Sequence, residues 1–158
     1  MSQQEGAIHL AGATLDRYRH VCAFFHSRDE EYRVLLPFVH EGIAMGEKVF
    51  QIIDPRLRQD HVRRLAEDGL DVEAAERRGQ LEITAWEDAY LRGGAFDQEA
   101  MLRLIEDVLE RGKTEGFPLT RLVANMEWAL EQRPGVDDVV EYEARLNYIL
   151  PRYKDAVV

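Results

Sequence analysis

The sequence predicts an α/β fold of three layers, with a mostly parallel sheet between two sets of flanking helices. Two observations carry the prediction. Short apolar runs of strand length alternate with longer segments whose apolar residues recur at helical spacing. The junctions between them carry helix caps and glycines in the expected places. Alternating strand and helix builds a parallel sheet covered on both faces. With 158 residues, 46% of them hydrophobic, the chain has material for one core. At this size a single fold buries about two thirds of the surface its unfolded chain exposes.

Residues 1–19, with Gly6, Gly12 and few bulky groups, read as a tail or leading segment, and residues 20–158 as a single domain. Val21-Cys22-Ala23-Phe24-Phe25 is a continuous apolar run, the pattern of a strand buried on both faces. Ser27 then caps a helix, with Glu30 three residues on as its capping-box partner. Tyr32, Leu35, Leu36, Val39 and Ile43 face inward, Pro37 kinks the helix or sits in an early turn, and Gly46 ends it. Val49–Ile53 is the second strand. Asp54-Pro55 opens a helix carrying Leu57, Val62 and Leu65 and ending at Gly69. A short helix follows over Asp71–Arg78, closed by Gly79, and Leu81–Trp86 is the third strand. After a turn at Arg92-Gly93-Gly94, Asp97 caps a strong helix with Met101, Leu102, Leu104, Ile105, Val108 and Leu109 near a period of 3.6. The fourth strand lies within Thr120–Met126. Pro134-Gly135 turns the chain into a helix with Val139, Val140, Leu146, Ile149 and Leu150 inward, ended by Pro151. Asp155–Val158 begins a fifth strand.

Charge narrows the function. Twenty Lys and Arg against thirty Asp and Glu give a net charge of −10. Phosphate recognition needs a concentrated basic face, and the arginines at 56–64 and 77–78 are interleaved with Asp60, Glu67 and Glu76. Direct nucleic-acid binding is therefore not expected. A membrane span needs about 20 consecutive apolar residues, and the longest runs fall far short. The first residues lack the pattern of a secretory signal, and Cys22 is the single cysteine, so a cytoplasmic setting is expected.

Motifs for common chemistries are incomplete. Gly112-Lys113-Thr114 has the end of a phosphate loop, but the loop's first glycine is missing, and the tripeptide closes a helix where it should open one. The five histidines show no pair at the spacing that puts two metal ligands on one helix face. There is no Gly-x-Ser-x-Gly elbow. No metal, cofactor or catalytic residue is expected on these grounds.

Ligands in open parallel sheets sit beyond the carboxyl ends of the strands. That rule nominates His26, Asp54, Trp86 and Glu127-Trp128. Glu127, between Met126 and Trp128, is either an exposed or helix-capping residue or a polar anchor in an apolar pocket. Trp86, Tyr90 and Trp128 are either core residues or aromatic walls.

Several blocks, in order, resemble one family: His20–Phe25, Leu35–Gly42 with Gly46-Glu47-Lys48, Gly69–Glu73, Gly79-Gln80-Leu81, Tyr90-Leu91 with Gly94–Asp97, Met126–Leu130, and Tyr142–Asn147. The chain resembles the MEDS domain family, sensory domains of methanogen and methylotroph regulators. The resemblance implies a RecA/KaiC-like core without a working phosphate loop, sensing of small hydrocarbon derivatives, and output to a kinase or transcription regulator. It carries over Glu127 and Trp128 as ligand candidates. The chain departs from the family at Phe25-His26, where Tyr-Glu is common, and at Val158, where the family pattern runs on.

Together these readings give a sensor module without enzymatic activity. A small, largely apolar ligand is held by Phe25, His26, Trp86, Tyr90, Glu127 and Trp128, and a separate regulatory protein receives the signal. A scaffold that pairs with another protein or with a second copy is the alternative, and a residual nucleotide-binding protein the third reading.

Overall fold

The computed structural model describes residues 7–158. The leading segment contains a small antiparallel hairpin, β1 (Ile8–Leu10) and β2 (Ala13–Leu15); residues 1–6 lie outside the described part. The elements that follow are α1 (Arg28–Ala44), β3 (Lys48–Ile53), α2 (Arg58–Glu67), α3 (Val72–Arg77) and β4 (Leu81–Ala85). Then come α4 (Gln98–Thr114), β5 (Thr120–Ala124), α5 (Val139–Ile149) and β6 (Ala156–Val157).

The sheet has the order β4-β3-β5-β6, with every pair parallel. Its central strands β3 and β5 are buried because helices cover both faces, while the edge strand β4 is mostly half-buried. Phe50, Ile52, Leu122 and Val157 meet α4 and α5 on one face. Val49 and Leu81 meet α1, α2 and α3 on the other. Val123 and Ala156 join Leu35 and Phe38 of α1 and Ile8 and Leu10 of β1. The chain steps from β3 to β4 under α2 and α3, then reverses past β3 to β5 under α4. The change of direction comes with a change of face, as right-handed crossovers require.

The caps are where the sequence puts them. Ser27, Asp71 and Asp97 each accept the backbone N–H three residues on. Asp54 accepts from the N–H of Arg56 ahead of a single 3₁₀ turn, and α2 follows from Arg58. Pro37 is accommodated inside α1. Gly112 sits in the last turn of α4 for a packing reason: a Cβ there would run into the Thr120 hydroxyl.

Two expectations are corrected. Val21–Phe25 is not a strand buried on both faces. Only its start touches the sheet, through a parallel bridge from His20 to Val157 and backbone hydrogen bonds of 2.9 Å from Val21 N to Val157 O and 2.8 Å from Val157 N to Arg19 O. The place beside β5 is taken by β6, so residues 22–25 run past the sheet, and Cys22 and Phe24 are exposed. On and just after α5, Leu146 and Leu150 are buried and Val139 and Ile149 pack against the core as expected, but Val140 faces out and Tyr142 takes the buried place instead.

At the amino ends of the strands, Arg121 is fully buried. It donates to Glu47 at 2.5 Å, to Glu41 at 2.7 Å and to the carbonyl of Phe38 at 2.8 Å, with its guanidinium over the Phe38 ring. Glu41 also accepts from the backbone N–H of His9 at 3.0 Å, tying the hairpin to α1.

Candidate functional site

Because residues 20–27 cross beyond the ends of β5 and β6 without filling the sheet edge, they leave a cleft of about 450 Å³ beneath them. Its walls are mainly apolar: Val21 and Phe25 from the crossing segment, Leu35 from α1, Val123 and Ala124 from β5, Met126 and Leu130 beyond it, Ile105 from α4 and Leu146 from α5. The volume and lining suit a small molecule.

Polar groups gather in two places. At one, Arg28 lies between two carboxylates, 3.4 Å from Glu31 and 3.3 Å from Glu127. Glu31 also accepts from the amide of Asn125 at 2.9 Å. Burial pushes the Glu31 carboxyl above the ordinary range, although Asn125 and Arg28 pull it down. At the other, His20 Nε2 meets Glu143 at 3.1 Å and its Nδ1 meets Asn147 at 3.0 Å. The hydrogen bond to Glu143 raises the His20 imidazole above its ordinary value. Tyr90 and Tyr142 also line the cleft. Burial raises both phenols, and the Tyr142 hydroxyl makes no hydrogen bond of ordinary geometry among the described residues.

The residues nominated from the sequence fall in three groups. Phe25, Tyr90 and Glu127 line the cleft. His26 stands at its rim, its side chain 97% exposed and bonded to Glu30 at 3.2 Å. His26 and Glu127 do not pair: one bonds Glu30, the other Arg28. Trp86 and Trp128 belong to the core beneath. Trp128 is fully buried, its ring 4.8 Å from that of Tyr90 and 5.2 Å from that of Phe96, and neither tryptophan is among the cleft's lining residues. Sequence reasoning passed over Arg28, Glu31, Asn125, Tyr142 and Glu143. The available signal for Glu31 was its position one residue before inward-facing Tyr32.

A second polar group lies deeper. The Tyr32 hydroxyl meets His61 Nδ1 at 2.7 Å, and His61 Nε2 meets the Gln51 amide at 3.0 Å. Desolvation lowers the His61 imidazole to about 4, and burial raises the Tyr32 phenol to about 12. Both nitrogens of this neutral ring are used within the fold, so His61 is a structural histidine. Among the described residues, no group of three His, Cys, Asp or Glu is placed to hold a metal ion, and no helix is long and apolar enough to cross a membrane.

The fold and the cleft define a three-layer α/β domain open at its strand ends. Residues 19–158 match the MEDS family, the methanogen/methylotroph, DcmR sensory domain, and the chain belongs to that family. It is similar to the transcriptional repressor DcmR of Methylorubrum extorquens (strain DSM 6343 / CIP 106787 / DM4), at 26% identity over 141 residues. That alignment covers 89% of this chain and 50% of the relative, so the chain spans about half the length of the protein it matches. No solved structure matches the chain significantly.

Proposed function

We propose that this chain is a sensor module without enzymatic activity, which takes a small, largely apolar molecule into the cleft under residues 20–27 and passes its occupancy to a regulatory protein. The observation that supports the reading most directly is the cleft: about 450 Å³ with apolar walls and a few convergent polar groups. Membership of a sensory-domain family agrees with it, and the similarity to a transcriptional repressor favours a transcription regulator as the recipient. Phe25 supplies apolar wall, while Arg28, Glu31 and Glu127 orient the ligand. A ligand shifts an equilibrium only by its differential affinity for two states, and the segment over the cleft is the element whose state the ligand selects.

Thermal unfolding against two ligand sets tests this. One set holds short alcohols, methylated amines, thiols and halogenated one-carbon compounds; the other holds ATP, ADP and GTP with Mg²⁺. A ligand at a hundred times its Kd stabilises by about 2.7 kcal/mol, which for a chain of this size is a shift of roughly 5–10 °C. The expected result is a shift with a member of the first set that Phe25→Ala reduces. A shift with nucleotide alone, or with nothing, rejects the sensor reading.

Exposed apolar side chains favour a second reading, a pairing scaffold. Phe24 and Leu130 at the cleft rim and Val140 and Tyr148 on α5 all face solvent. Sedimentation velocity decides whether a second copy covers them: a strict monomer up to about 100 µM rejects self-pairing.

A further inference from the structure

The charges around the cleft are unequal. Three carboxylates line it, Glu31, Glu127 and Glu143, against one guanidinium, Arg28. Arg28 is divided between Glu31 and Glu127 at 3.4 and 3.3 Å, at the long end of ion-pair geometry. Glu143 has only His20, whose charge depends on protonation. The cleft therefore presents negative potential between walls of low dielectric, where such potentials act strongly. An organic anion placed there meets like charge from both polar groups.

An independent observation points the same way. Tyr142 is fully buried and lines the cleft, and its hydroxyl interacts with that of Tyr90 without forming a hydrogen bond of ordinary geometry among the described residues. A buried polar atom with a weak contact is under-satisfied, and a phenol oxygen with lone pairs to spare can accept from a bound N–H donor. The Tyr90 and Tyr142 rings meet edge to face, centroids 6.1 Å apart. Aromatic faces add attraction for an organic cation.

From this we propose that the cleft selects a protonated organic amine with an apolar body, its ammonium group held by Glu143 and the Tyr142 hydroxyl and its body against Phe25, Leu35 and Val123. The proposal rests on the sensor reading and specifies the ligand class for the same cleft. Glu31, whose carboxyl is raised by burial, adds to the selection, since a nearby cation favours its ionised form.

The experiment uses three probes of one shape, benzylamine, benzyl alcohol and benzoate, titrated calorimetrically into the full chain at pH 7.5. Benzylamine is expected to bind about tenfold or more tighter than benzyl alcohol, the worth of one charge-assisted contact, and benzoate weakest. An amine-to-alcohol ratio below about fivefold, or tighter binding of benzoate than of the amine, overturns the proposal while leaving the cleft a ligand site. Silence from all three probes overturns the proposal, while the sensor reading stands or falls on the thermal-unfolding result. Glu143→Gln is expected to bring the amine-to-alcohol ratio close to one. Glu31→Gln, which leaves the His20 contact intact, is expected to lower the ratio severalfold. Tyr142→Phe, which keeps the ring in the core, is expected to weaken amine binding. Unchanged amine affinity in both Glu143→Gln and Tyr142→Phe overturns the placement of the ammonium group.

Discussion

Replacing Gly42 by Ala tests whether the buried arginine fixes the packing of α1 on the sheet. Gly42 is a helical residue, and Ala in a helix interior is favoured over Gly by about 1 kcal/mol. On propensity alone the variant gains stability. The surroundings reverse the sign. A Cβ at position 42 would lie 2.8 Å from Arg121 Cδ, 3.0 Å from Arg121 Nε and 3.3 Å from Val49 Cγ2. Carbon atoms sit at about 3.5–4.0 Å when unstrained. The clash falls in the middle of the arginine side chain, whose end is pinned by Glu47 at 2.5 Å and Glu41 at 2.7 Å. Overpacking of this kind costs about 1–3 kcal/mol, and weakening one charged hydrogen bond costs about 1.5–3 kcal/mol more. Against the gain of about 1 kcal/mol, the net is a loss of about 1.5–5 kcal/mol, or about 3–20 °C in melting temperature. Urea unfolding of wild type, Gly42→Ala, Arg121→Met and the double variant measures the terms, with the coupling between the two sites read from the cycle. A Gly42→Ala variant more stable than wild type refutes the reasoning, because Arg121 would then have room to move.

Trp128→Ala is expected to act as a core deletion, lowering stability by about 3–5 kcal/mol; a variant that keeps its melting temperature and loses ligand affinity instead would return Trp128 to the cleft wall. For His61, the unfolded imidazole takes a proton near 6.5 and the folded one only near about 4. Between these values the unfolded state binds more protons, so this group's contribution falls as the pH drops from 6.5 toward 4, by about 2 kcal/mol at pH 5. NMR titration of the ring checks it, and a folded-state midpoint above 6 contradicts the buried Tyr32–His61–Gln51 arrangement.

The strands from Lys48 onward and the capped helices were legible because local chemistry specifies them. Ser27, Asp71 and Asp97 satisfy backbone groups within their own turn, whatever the rest of the chain does. The run Val21–Phe25 misled for the opposite reason. Five apolar residues satisfy a strand pattern, but a strand also needs a free neighbour, and β6 already occupies the position beside β5. The β1–β2 hairpin was missed because Ile8-His9-Leu10 alternates over only three residues, too short for periodicity to register. Of the residues the strand-end rule nominated, Glu127 lines the cleft and His26 stands at its rim. The rule carries no information on side-chain direction, so it could not separate Glu127, which faces the cleft, from Trp128, which turns into the core one residue later. Arg28 and Glu31 were hidden in the first turn of α1, where charged residues ordinarily serve the helix terminus.

The crossing segment is held at few points. Its attachment to the sheet is one bridge to Val157, and its far end is the Ser27 cap of α1. Between these anchors Cys22, Ala23 and Phe24 are exposed. A stretch with so few backbone bonds and so little buried surface opens locally at a small fraction of the cost of global unfolding. On the proposed sensor reading, a substitution in residues 20–27 that changes this local opening is expected to alter a ligand's residence time before its equilibrium occupancy.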